Sequence, residues 1–181
     1  MSRIGKQIIT IPTGVKVATI TSDEGTTVTV EGPYGKLERL FRSDIVITVG
    51  EDKISLLPRQ TSMDGALWGT YASHVKNMVL GVASGFTKQL IIEGIGYKGS
   101  VVGQTLTLTV GFSHPVIITA GAGIKITLEK NVLTVTGPSK EATGQFAASV
   151  RAIKPPDPYK EKGIRYVGEV ISRKQGKKVV A

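Results

Sequence analysis

The sequence predicts an α+β fold, with two similar domains, each a mostly antiparallel sheet packed against a helix, and then an extended basic C-terminal segment. Three observations lead there. Most of the chain alternates aliphatic with threonine or charged residues, the period of a strand with one buried face. Two stretches instead repeat their apolar residues at helical spacing. The same succession of segments then occurs twice, which marks a duplicated module.

The strands are TTVTVEG, DIVITVG, TLTLTVG, IKITLE and VLTVTG. In TLTLTVG, Leu106, Leu108 and Val110 fall on one face and Thr105, Thr107 and Thr109 on the other, so one face meets a core and the other water, as in antiparallel sheets. Glycine-bearing turns at Gly32-Pro33, Gly50-Glu51-Asp52 and Gly121-Ala122-Gly123 separate them. The first helix is read from Leu67, Tyr71, Val75, Met78, Val79 and Val82, with Ser62 or Asp64 as cap and Gly85 as stop. Trp68, at its start, is read as a packing residue. The second helix is read from Ala142, Phe146, Val150 and Ile153, with Ser139 as cap and Pro155-Pro156 as stop.

VEGPYGK resembles IEGIGYK, ITVGEDKISL resembles ITLEKNVLTV, and GTYASHVK resembles GQFAASVR, in the same order in each half. The expected boundaries are an N-terminal domain over residues 1–82, a C-terminal domain over 83–153 and a basic extension over 154–181. Gly81 to Gly85 is the expected linker.

The chain has 181 residues, 40% of them hydrophobic, enough for a substantial core, and a formal net charge of +9. The excess is concentrated. From Arg151 onward nine lysines and arginines face only Asp157, Glu161 and Glu169, so the last 31 residues carry +6. Such a footprint favours a polyanionic partner. The absence of cysteine removes disulfides, thiolate metal sites and thiol nucleophiles, and fits a reducing compartment. No signal-like apolar run opens the chain and none is long enough to span a bilayer, so a soluble intracellular protein without a membrane partner is expected.

Candidate catalytic motifs fail on context. Gly94, Gly96, Gly99 and Val101 satisfy G-x-G-x-x-G-x-V, but a strand follows where a dinucleotide fold needs a helix N-terminus. A glycine-bent hairpin is the better reading, and the remaining kinase motifs are missing. His74, inside a helix, and His114, in a turn, do not make a metal site. No nucleophile elbow or carboxylate pair is visible. No enzyme, cofactor, metal or small-molecule substrate is expected.

Attention therefore falls on KPPDPYKEKGIRY, residues 154–166. Pro155, Pro156 and Pro158 stiffen an extended path, which lowers the entropy lost on docking. Lys160, Lys162 and Arg165 can approach phosphates, Gly163 permits close approach, and Tyr159 and Tyr166 either offer flat polar-tipped rings or anchor the extension to its domain. Pro155-x-x-Pro158 also matches a proline-reading ligand, which makes an interaction adaptor the alternative function. RKQGKK reads as a basic arm that orders on a polyanion.

PPDPYKEKGIRY resembles the signature of the bacterial-type large-subunit ribosomal protein six family, Pro-Pro-Glu-Pro-Tyr-Lys-Gly-Lys-Gly-Ile-Arg-Tyr. The likeness extends through SRIGKQIITIPTGVKV, EGPYGKL, SGFTKQLIIEGIGYKG, VGFSHPV and GQFAASVRAI. It implies a structural constituent of the large ribosomal subunit that binds 23S rRNA near the base of the factor-recruiting stalk and the sarcin-ricin region. It also implies neighbouring large-subunit proteins as partners and a ribosomal, cytoplasmic or organellar, location. Carried over by position, the RNA-facing residues are Lys154, Pro155, Pro156, Tyr159, Lys160, Lys162, Gly163, Arg165 and Tyr166, continued by Arg173, Lys174, Lys177 and Lys178. Three departures stand out: Glu161 replaces a glycine, Tyr34 a basic residue and Ser172 an arginine.

Overall fold

The computed structural model describes residues 3–59 and 65–176. The chain divides into two compact units, Met1–Phe86 with Pro138–Lys140, and Thr87–Gly137 with Glu141–Ala181. Each is an α+β unit of two antiparallel sheets and helical packing, as the alternating strands and the two helical stretches predict.

In the first unit β1 (Ile9–Thr10), β6 (Lys53–Pro58) and β5 (Ile45–Val49) form one sheet in the order β1-β6-β5. The other has the order β2-β3-β4, from β2 (Lys16–Ser22), β3 (Gly25–Gly32) and β4 (Gly35–Phe41). Helix α1 (Gly65–Ser84) brings Val75, Val79 and Val82 against Val28, Val30, Phe41, Ile54 and Leu56, all buried. Trp68 is buried too, and its indole N–H donates to the Leu56 carbonyl at 2.8 Å, so the ring packs without an orphaned donor. The proposed caps Ser62 and Asp64 lie outside the described residues. Gly85 ends the helix with φ +72° and donates its N–H to Gly81 O at 2.9 Å, a left-handed stop. The expected linker over Gly81 to Gly85 is therefore corrected. Residues 81–84 are the last turn of α1, and β7 begins one residue after Gly85. Val82 O accepts the Tyr34 N–H at 3.0 Å, which fastens that turn to the β3–β4 turn.

In the second unit β8 (Lys98–Val102), β9 (Thr105–Thr109) and β10 (Val116–Thr119) form a sheet in the order β10-β9-β8. The other contains β11 (Lys125–Glu129), β12 (Val132–Gly137), β7 (Phe86–Glu93) and β13 (Gly163–Tyr166), in the order β11-β12-β7-β13. Helix α2 (Lys140–Ile153) packs through Thr143, Phe146, Ala147 and Val150. Phe146 and Val150 are on the expected face. Ala142 is exposed, and Ala147 and Thr143 take the inward positions.

The two topologies repeat strand for strand. The β1-β6-β5 order recurs as β7-β12-β11 and β2-β3-β4 as β8-β9-β10, with a helix after the last strand of each set. This corrects one sequence equivalence. VEGPYGK closes the β3–β4 hairpin, with Gly32 opposite Gly35, whereas IEGIGYK is the corner where the chain leaves β7 in one sheet for β8 in the other. The glycine-bent hairpin expected at Gly94–Gly99 is thus a bend between sheets, since β7 and β8 do not pair. The other two likenesses fall on corresponding elements, the β5–β6 and β11–β12 hairpins and the two helices.

One strand has no counterpart in the first unit. β13, from the C-terminal extension, pairs antiparallel with β7, placing Ile164 opposite Ile92 and Tyr166 opposite Leu90. Ile164 is fully buried in the second core, and burial of a side chain of that size stabilises by about 1.5–3 kcal/mol. The extension is a structural edge of its unit as well as a charged surface.

Candidate nucleic-acid interface

The interface begins where α2 stops. Pro155 disfavours helical geometry at Lys154, and Pro155 and Pro156 remove two amide donors, so the helix ends at Ile153. The chain then closes a tight loop. Asp157 N–H donates to Lys162 O at 2.9 Å, Glu161 N–H donates to Asp157 O at 2.8 Å, and the Asp157 carboxylate accepts the Tyr159 N–H at 3.0 Å. Ile164 N–H donates to Lys154 O at 2.8 Å as β13 begins. Further on, Lys174 N–H reaches back to Pro158 O at 3.1 Å.

Gly163 has φ +149°, and a Cβ there would stand 2.6 Å from Pro156 Cα and 2.7 Å from Pro155 O. The close approach read from the sequence is made, within the described structure, to the chain's own prolines. Glu161, at φ +56°, occupies the left-handed region that a glycine fills more easily.

The arginines and lysines separate by role. Arg151 binds Glu169 with both Nε (3.0 Å) and Nη2, and the same carboxylate accepts the Tyr166 N–H at 3.0 Å. Arg165 Nη2 lies 3.0 Å from Glu93 Oε1. Arg173 pairs with Glu161, its Nη2 2.6 Å from Oε2. Each arginine presents its planar fork to one carboxylate, the geometry that gives the strongest charge-assisted bonds. Lys154, Lys160, Lys162 and Lys174 have no carboxylate partner among the described residues. Lys160 and Lys174 are exposed, and Lys154 and Lys162 are half-buried.

The carboxylates feel this arrangement. The Glu169 carboxyl is held below its ordinary value of 4.5, first by the Arg151 hydrogen bond and then by the Tyr166 amide. Arg173 lowers Glu161 in the same way.

The tyrosines divide as well. Tyr159 is 59% exposed, whereas Tyr166 packs partly against the second core, with the Arg151 guanidinium 5.9 Å from its ring centroid. Tyr166 is therefore an anchor and Tyr159 a free surface. Pro155 is exposed and Pro156 half-buried. Lys177 and Lys178 lie outside the described residues. Glu93 and Glu169, which lock the arginines, escaped the sequence reading, because no local signal pairs residues 72 and 18 positions apart.

Elsewhere, Tyr34 is 55% exposed and its ring lies against Gly85, so this departure belongs to the first unit's turn packing. Among the described residues no group of three His, Cys, Asp or Glu is placed to hold a metal ion, and no helix is long and apolar enough to cross a membrane.

Comparison with known proteins agrees with this architecture. Ribosomal protein L6 matches the chain twice, over residues 10–85 and 93–167, once in each half. The large ribosomal subunit protein uL6 of Oenococcus oeni is 45% identical over 179 residues, which cover 98% of both chains. The uL6 proteins of Enterococcus faecalis (42% identical, 98% of both chains) and Magnetococcus marinus (44%, 98% of this chain and 99% of that one) are similar over the same extent. With both halves matched and nearly every residue of the chain covered, this protein belongs to the ribosomal protein L6 family.

Proposed function

We propose that this protein, a non-enzymatic structural constituent of the large ribosomal subunit by family, binds 23S rRNA through its C-terminal extension and stabilises the local RNA fold. The site we assign is near the base of the factor-recruiting stalk and the sarcin-ricin region, beside neighbouring large-subunit proteins. That location rests on the likeness of PPDPYKEKGIRY to the family signature.

The observation that carries the RNA reading is the separation of roles within the extension. Arg165 and Arg173, with Arg151 of α2, are spent on carboxylates, while Lys154, Lys160, Lys162 and Lys174 are held on the extension's backbone without carboxylate partners among the described residues. With its backbone already fixed, the lysine array loses mainly side-chain entropy on meeting phosphates. Prolines and Gly163 set its path, Tyr166 anchors it, and Tyr159 and the basic tail with Lys177 and Lys178 extend the contact. The adaptor alternative is less well supported. Pro156 is packed against Gly163, and Pro158 O is already bonded to Lys174 N–H, so the stretch is not a free extended ligand.

The test is the salt dependence of binding to 23S rRNA. About five neutralised phosphates give a slope of log affinity against log salt near −4 to −5. Deleting the extension would also remove Ile164 from the core, so substitution is the cleaner perturbation. Lys160→Gln, Lys162→Gln and Lys174→Gln together should flatten the slope by about 2 to 3. An unchanged slope would overturn the assignment.

A further inference from the structure

In β9, Leu106 and Leu108 point into the core, and Val110 continues the alternation, all three fully buried. Two residues on, Phe112 is the next inward position by the period of the strand. It is instead 40% exposed. Gly111, at φ +81°, turns the chain out of the strand, and all five residues from Gly111 to Pro115 are exposed. An aromatic that the strand period assigns to the core has been turned to the surface.

The ring is not isolated there. The His114 imidazole lies nearly parallel to it, with centroids 6.3 Å apart and planes inclined by 21°. The Lys154 ammonium is 5.3 Å from the Phe112 centroid, within cation–π range. Lys154 has no carboxylate partner among the described residues, and the loop GFSHP contains no acid. A methyl group added at Gly111 would meet Tyr97 Cε1 at 3.6 Å, so a partly buried ring supports the loop from the core side. The backbone of Lys154 is fixed, because its carbonyl accepts the first interior amide of β13.

We propose that Phe112, His114 and Lys154 form a stacking shelf that takes one unpaired nucleobase of an RNA, with its phosphate met by the Lys154 ammonium. The chemistry of these three side chains selects the ligand. Flat π-surfaces accept any base, and the Lys154 ammonium, which lies over the Phe112 ring without a carboxylate partner among the described residues, moves from the ring to the attached phosphate as the base stacks. A protein partner would be recognised through a broader apolar patch, but Ser113 and the lysine interrupt this one. The shelf lies in a different loop from the lysine array and shares only Lys154 with it. The inference rests on the RNA reading above and deepens it.

The test is equilibrium binding of the full-length protein to transcribed 23S rRNA across a salt series. Phe112→Leu, which keeps apolar bulk but removes the π-face, should weaken binding by about tenfold without changing the salt slope. Phe112→Trp should restore it, and His114→Ala should give a smaller loss. Thermal melting checks that the variants fold, which the exposure of the loop favours. If the parent binds rRNA and Phe112→Leu binds equally well, the shelf is refuted while the lysine array stands. If Phe112→Leu binds naked rRNA normally but enters large subunits poorly, the ring meets a protein neighbour and the shelf is again refuted. A parent that binds no rRNA refutes the RNA reading and the shelf together.

Discussion

Replacing Gly163 by alanine tests whether the extension is built onto its unit or merely adjacent to it. At φ +149° an L side chain carries backbone strain of about 1–3 kcal/mol. The new methyl would also sit 2.6 to 2.8 Å from Pro156 Cα and the Pro155 carbonyl, atoms that no side-chain rotation can move aside. The combined cost of about 3 kcal/mol would raise the population of the detached extension by roughly 100-fold. Amide hydrogen exchange reads that population directly. The Ile164 amide, bonded to Lys154 O, and the Val167 amide, bonded to Gln89 O at 3.0 Å, should both exchange about 100-fold faster. Gly168→Ala is the internal control. Its φ is +83°, but nothing lies within 4 Å of the added carbon, so only the strain remains, about 1 kcal/mol and less than tenfold. If Gly163→Ala leaves both amides as protected as the parent, or no less protected than Gly168→Ala does, the extension is not held by this contact.

Two further outcomes are expected. Glu161→Gly exchanges left-handed strain for extra unfolded-chain entropy, so melting should barely move, while Arg173 is released to meet phosphate. RNA binding should tighten and its salt slope steepen by about one, and weaker binding would show that the ion pair is needed to aim the tail. The second concerns pH. Because the Glu169 carboxyl is depressed in the folded state, its tie to Arg151 and Tyr166 contributes stability above pH 4.5 and loses it as pH falls through the depressed value. The Tyr166 amide resonance should report that release in an acid titration, and a midpoint at or above 4.5 would contradict the pairing.

The fold was legible because its information is local. Threonine alternation marks half-buried strands, and the helical spacing of Val75, Val79 and Val82 marks a buried stripe, so β3, β5, β9, β11, β12 and both helices could be read from sequence, while shorter or less regular strands such as β1, β10 and β13 could not. What failed depended on partners. VEGPYGK and IEGIGYK share glycine, tyrosine and lysine, but one is a hairpin and the other a corner between sheets, and that difference lies in which strand pairs with which. Ala142 and Ala147 are chemically alike, so composition could not say which faced inward. In the interface the basic residues were visible, but their division was not. Arg173, Arg151 and Arg165 find carboxylates 12, 18 and 72 residues away, and only the antiparallel pairing of β13 with β7 brings the last pair together.

That division changes how the charge should be counted. The sequence assigns +6 to the last 31 residues, as though every cation there were available to a phosphate. In the structure Arg151, Arg165 and Arg173 are each matched by a carboxylate. Guanidinium suits that role, since its fork fixes an orientation that a point charge cannot, and its weaker hydration lowers the cost of partial burial. Lysine suits the other role, as a hydrated ammonium on a long stem that can adjust to a phosphate whose position varies. An arginine already bonded to glutamate releases few counterions when RNA arrives, so the salt slope should follow the free lysines and leave the total charge aside. Arg165→Lys is therefore not a conservative change. It keeps the charge but loses the fork on Glu93, and its first effect should be on the protection of the β13 amides, ahead of any change in the number of phosphates met.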